Sequence, residues 1–70
     1  MFTYKPLLKT LIDKDLKLQD LREKLRISGA TLAKISKGEY VSMETLDKIC
    51  GFLDCEIQDV IQHVKKRERN

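Results

Sequence analysis

The 70-residue sequence predicts an all-α fold, a compact bundle of five short helices. Apolar residues recur at three- and four-residue spacing in successive short segments, the period of helices that each bury one face. The breaks between segments carry capping and stop residues, Ser28, Gly38 and Ser42 among them. No stretch alternates apolar and polar residues for long enough to predict a strand.

Met1 to Lys5 reads as a lead-in. Pro6 suits the first turn of a helix, where its missing N–H has no partner to lose. Leu8, Leu11 and Ile12, with Leu7 at the edge, give that helix one apolar face as far as Asp13 or Asp15, and Lys5, Lys9 and Lys14 lie off it. Leu18, Leu21 and Leu25 stripe a second helix. Arg26-Ile27-Ser28 interrupts the pattern. Ser28 is the residue type that accepts a hydrogen bond from a free first-turn N–H, so a third helix spans Gly29 to Lys37 with Leu32 and Ile35 turned inward. Lys34 and Lys37 suit the negative end of its dipole, and Gly38 is a left-handed stop. After the loop Glu39-Tyr40-Val41, Ser42 caps a fourth helix whose stripe is Leu46, Ile49, Cys50 and Leu53, extended by Met43. Asp54-Cys55 breaks it, and Ile57, Val60, Ile61 and Val64 repeat the spacing in a fifth. Residues 1–64 are expected to form one domain and residues 65–70, without an apolar side chain, a basic disordered tail.

Composition narrows the function. With 41% hydrophobic and 36% charged residues the chain reads as a folded domain, too small for a deep catalytic cleft. Apolar runs of two or three residues make neither a membrane span nor a signal-peptide core, so a cytoplasmic location is expected. Two cysteines are no disulfide framework, and Cys50 with Cys55 has the wrong spacing for a zinc site. His63 is the single histidine and no nucleophile can be placed beside it, which argues against an enzyme. No segment reads as a cofactor or small-molecule site. The net charge of +3 is unevenly divided: residues 1–37 carry nine basic and four acidic side chains, residues 38–64 one and six, and residues 65–70 four and one. A basic half containing the helix pair suits a polyanion, and the acidic half faces elsewhere.

The run Leu21 … Leu25-Arg26-Ile27-Ser28-Gly29-Ala30-Thr31-Leu32-Ala33-Lys34-Ile35 … Gly38, followed by Ser42 … Thr45-Leu46-Asp47-Lys48-Ile49-Cys50, resembles the lambda-repressor-like, Cro-type helix-turn-helix family. It is most similar to the small single-domain bacterial and phage regulators of the xenobiotic-response-element type. The resemblance implies a transcriptional regulator, expected to be a repressor that binds double-stranded DNA as a homodimer, with the third helix in the major groove. It also implies roles. The positions of Gly29, Ala30 and Lys34 face base edges; those of Thr31, Lys37 and Gly38 approach the phosphate backbone. Lys17, Gln19, Arg22, Arg26 and Ser28 are further candidates for backbone contact. Two departures stand out. Leu18 occupies a place usually held by a phosphate-contacting Gln, leaving Gln19 as a substitute, and Arg26 replaces the usual turn glycine.

Lys34 is the one long polar side chain on the expected groove face, with donors suited to guanine O6 and N7, while Ala30 offers a methyl group to thymine. Gly29 offers no side chain. These bare positions keep a second reading open, in which the same fold serves as a protein-interaction module, such as an antitoxin or accessory factor, with little DNA specificity.

Overall fold

A computed structural model describes residues 1–65. The elements run β1 (Phe2–Thr3), α1 (Lys5–Asp13), α2 (Leu18–Leu25), α3 (Gly29–Lys37), α4 (Met43–Leu53), a 3-10 turn (Ile57–Asp59) and β2 (Gln62–His63). The fold is all-α apart from the two-residue strands, which pair antiparallel with Phe2 opposite His63 and Thr3 opposite Gln62. Tyr4, Leu7, Leu11, Leu21, Ile35, Leu46, Ile49, Leu53 and Val60 form one core, and none of the described polar or charged residues is buried with them. α2 packs against both α3 and α4, and α1 against the 3-10 turn.

Local chemistry sets the helix ends. Asp20 accepts a hydrogen bond from the Lys17 N–H at 2.8 Å and so fixes the entry to α2. Ser28 and Ser42 cap α3 and α4 by accepting from the N–H groups of Thr31 and Thr45 at 3.0 and 3.1 Å. Gly38 ends α3 at φ 78°, where the Glu39 N–H reaches the Lys34 carbonyl at 2.8 Å and the Gly38 N–H that of Ile35 at 3.1 Å. This double closure satisfies two carbonyls that have no partner within the helix.

The expected fifth helix is absent. Its place is taken by the single 3-10 turn and β2, because α1 claims the carbonyls that a continuing helix would use. Thr10 Oγ1 donates to the Asp59 carbonyl at 2.8 Å, and the Leu7 N–H, a first-turn donor with no partner inside α1, reaches the Val60 carbonyl at 3.1 Å. Only Val60 of the predicted stripe is fully buried. Val60 itself keeps helical backbone, and the chain turns extended after it into Gln62–His63. The Val64 N–H meets the Met1 carbonyl at 2.7 Å, and the Met1 ammonium meets the Val64 carbonyl at 3.2 Å. The expected lead-in Met1 to Lys5 therefore holds the strand Phe2–Thr3, the N-cap Tyr4 and the first residue of α1, and His63 is a strand residue whose ring meets Phe2 edge to face at 5.2 Å.

Two apolar stripes are also corrected. α1 buries Leu7 and Leu11, with Tyr4 buried at its N-cap, while Leu8 and Ile12 are 45% and 72% exposed. Both stripes obey helical spacing; the buried Tyr4 and the Leu7–Val60 bond decide between them. Met43 is the first residue of α4, directly after the Ser42 cap, is 77% exposed and does not extend the core stripe. The terminal boundary expected at residue 65 falls almost wholly on residues 66–70, which lie outside the described residues.

Tyr4 also holds the loop that follows α3. Its hydroxyl donates to the Glu39 carbonyl at 2.7 Å across 35 residues of sequence. Burial pushes its phenol above the ordinary range, partly offset by the Val41 backbone. Tyr4→Phe removes this bond and leaves the Glu39 carbonyl without that donor, a loss of about 0.5–1.5 kcal/mol. In a domain of this size the expected fall in melting temperature is roughly 4–8 °C per kcal/mol, read by circular dichroism. An unchanged midpoint would show that the bond contributes nothing.

Candidate nucleic-acid interface

The candidate interface is built from α2, the turn after it, and α3. Half-buried Leu18 and Leu25 and buried Leu21 fasten α2, half-buried Ile27 anchors the turn, and buried Ile35 fastens α3, while Leu32, expected to turn inward, is half-buried without joining the core. The opposite side of α3 is left open. Gly29, Ala30, Ala33, Lys34 and Lys37 are all exposed, a strip of small side chains ending in two cations.

The positive end of α3 is also open. Ser28 sits in extended backbone (φ −71°, ψ 158°) and uses its oxygen for the Thr31 N–H, while its own hydroxyl donates to Thr31 Oγ1 at 3.0 Å. The Thr31 hydroxyl hydrogen is thus available to an outside acceptor. Among the described residues no hydrogen bond takes up the N–H groups of Gly29 and Ala30. Two backbone donors and a hydroxyl therefore converge where the helix dipole is positive, an arrangement that favours an oxygen anion.

The backbone-contact candidates fall along this same unit. Lys17 and Gln19 are exposed at the start of α2, Arg22 on its outer side, Arg26 and Ser28 in the turn, and Lys37 and Gly38 at the end of α3. Thr31 is half-buried. Lys5 and Lys9 instead border a shallow cleft that also contains Asp13 and Asp59, so the basic charge of α1 is shared with acidic groups. One juxtaposition was not legible in the sequence. A Cβ on Gly29 would lie 3.7 Å from Arg22 Cζ and 3.8 and 3.9 Å from its Nη2 and Nη1, so the α2 guanidinium covers the first residue of α3. The available signal was a glycine directly after a serine cap, seven residues beyond an arginine.

No group of three or more His, Cys, Asp or Glu among the described residues is placed to hold a metal. Cys50 and Cys55 are free and half-buried, and burial pushes both thiols above their ordinary range, away from the reactive thiolate. No helix among the described residues is long and apolar enough to cross a membrane.

Arg26 takes the strained solution at the turn. It ends α2 in the left-handed conformation at φ 57°, ψ 34°, which costs an ordinary L-residue roughly 1–2 kcal/mol. Arg26→Gly removes that cost, while glycine's greater freedom in the unfolded chain returns about 0.5–1 kcal/mol. The expected result in thermal unfolding is a midpoint equal to or above that of the parent. A clear fall would mean that the arginine side chain holds the turn by contacts worth more than its strain.

Comparison with known proteins agrees with this geometry. The family model for the Cro/C1-type HTH DNA-binding domain matches residues 6–66. A crystal structure of the transcriptional regulator VanUg superposes with a TM-score of 0.89 at 40% identity, covering 93% of this chain and 87% of that one. No curated protein sequence matches significantly. Open α3, capped turn and matched sequence coincide over nearly all the described chain, which belongs to the Cro/C1-type helix-turn-helix DNA-binding domain family.

Proposed function

We propose that the protein is a sequence-specific, double-stranded DNA-binding transcriptional regulator that acts as a repressor. The observation that carries this reading is the exposed strip of α3, small at Gly29, Ala30 and Ala33 and basic at Lys34 and Lys37, on a helix anchored in the core by Ile35. A narrow strip of this kind fits into the major groove without steric penalty. VanUg, described as a transcriptional regulator, supports the regulatory role by its 40% identity.

In this reading Ala30 and Lys34 meet base edges, and Gly29 lets the start of α3 approach the duplex closely. Lys17, Gln19, Arg26, Ser28, Thr31, Lys37 and the backbone at Gly38 hold phosphates and set the register. The nine residues of α3 span only about 13 Å, enough for a few base pairs. A useful site therefore needs two copies of the chain on a two-fold sequence, with half-sites about one helical turn apart.

The test is selection of bound duplexes from a random-sequence pool at physiological salt. Enrichment of an inverted repeat is the expected outcome. Recovery without any motif would leave only non-specific binding, and no recovery would favour the protein-interaction module, as would an affinity indifferent to salt. Within a selected site, Lys37→Ala weakens binding to all sequences alike and lowers the slope of log affinity against log salt by about 0.9. Lys34→Ala instead flattens the preference for particular base pairs. An equal effect of the two substitutions across all sequences would remove this division of roles.

A further inference from the structure

We propose that Arg22, carried on α2, is a base-reading residue of the interface, supplying at the start of α3 the side chain that Gly29 lacks. The inference rests on the DNA-binding reading and reassigns Arg22 from the phosphate contacts expected of it. Its basis is the placement of the guanidinium over Gly29. The position of a Cβ there has Arg22 Cζ as its nearest atom at 3.7 Å, with Nη2 and Nη1 almost equally distant at 3.8 and 3.9 Å. A point so related to the three atoms lies over the face of the guanidinium plane. The face is spent on Gly29, and the edge that carries the N–H donors points away from it.

Those donors are unengaged. Among the described residues no hydrogen bond involves the Arg22 side chain, and the residue is exposed. Nor does α3 offer it a counter-charge nearby, since its first turn contains no acidic residue. A cation held against the positive end of a helix dipole is repelled by it. Both therefore favour the same electronegative ligand in front of them.

The location selects a base edge over a phosphate. The N-terminal residues of a groove-bound helix are the ones that reach base edges, and at that end α3 presents only a hydrogen atom and a methyl group, at Gly29 and Ala30. Lys34, the other long donor, lies five residues further along, roughly 7 Å in helical rise. Arg22 fills the unread end. Its planar fork of donors matches guanine O6 and N7 together, the commonest specific contact between a protein and DNA. A Cβ at position 29 would only touch the face of the guanidinium, so that its edge is free to project alongside the helix start. Two groove contacts then come from different helices.

The experiment measures affinities of the full chain for its selected duplex and for versions altered one base pair at a time, as a function of salt. Arg22→Lys keeps the charge and loses the fork. It is expected to reduce discrimination at one G·C pair by roughly ten- to hundredfold, with the salt slope and the affinity for unrelated duplexes unchanged. Lys34→Ala flattens a different position. Gly29→Ala places its Cβ in ordinary contact with the guanidinium and keeps the preference, whereas Gly29→Leu displaces the fork and flattens the same position as Arg22→Lys. Thermal midpoints close to the parent's confirm that each variant is folded.

An unchanged base preference in Arg22→Lys, or in a folded Gly29→Leu, overturns the proposal. So does Arg22→Ala weakening every sequence alike with a slope reduced by about 0.9, which is the behaviour of a phosphate contact. A parent protein that selects no motif overturns the DNA-binding reading itself, and this inference with it; a parent that selects a motif indifferent to position 22 overturns the inference alone.

Discussion

The four α-helices are 8 to 11 residues long, whereas an isolated helix is only marginally stable in water even at about 12–15 residues. Each exists here because the others cover its apolar stripe. Leu21 of α2, Ile35 of α3 and Ile49 of α4 are buried in one shared core, and the orientation of α3 follows from that burial. This shared core is what frees the outer strip of α3. A helix anchored on one side by Ile35 can present glycine, alanine and lysine on the other without loss of position.

The chain ends close the same core from the other side. Phe2 and Thr3 pair with His63 and Gln62, and α1 spends its free Leu7 N–H and the Thr10 hydroxyl on the carbonyls of Val60 and Asp59. A small domain with little interior has few interactions to lose. Each of these bonds joins residues about 50 or more positions apart, so they tie the beginning of the chain to its last described residues. Tyr4 extends the closure to the functional side. Its hydroxyl reaches the Glu39 carbonyl just past Gly38, so the end of α3 is tied to the strand and helix that open the chain.

The sequence was most legible where local chemistry decides. The bounds of α3 agree with the expected Gly29 to Lys37 because a serine cap, an inward stripe and a left-handed glycine all act within that segment. α2 and the start of α4 follow for the same reason. The fifth helix was illegible because Ile57, Val60, Ile61 and Val64 satisfy helical spacing, while competition for the Asp59 and Val60 carbonyls comes from α1, about 50 residues away. The choice between the Leu7 and Leu8 stripes likewise depends on what α1 packs against. For the candidate interface, sequence placed the exposed residues of α2, the turn and α3 on one unit, but Arg22 over Gly29 is a tertiary contact that spacing alone does not reveal.

Strain and charge are concentrated at the same place. Helix ends at Asp15, Arg26 and Asp54 use left-handed backbone without glycine; aspartate tolerates that conformation through local hydrogen bonding, while arginine has no such compensation. The one costly residue is thus in the turn between the two helices of the candidate interface, beside a guanidinium that is itself held against a helix's positive end. Neither feature stabilises the isolated fold. In the proposed reading a polyanion offers Arg26 a phosphate and Arg22 an electronegative edge, and relieves the repulsion between that guanidinium and the start of α3. Glycine in place of Arg26 would remove the strain together with one outward donor. A turn and helix start that trade stability for outward donors is the pattern expected of a surface shaped by its ligand.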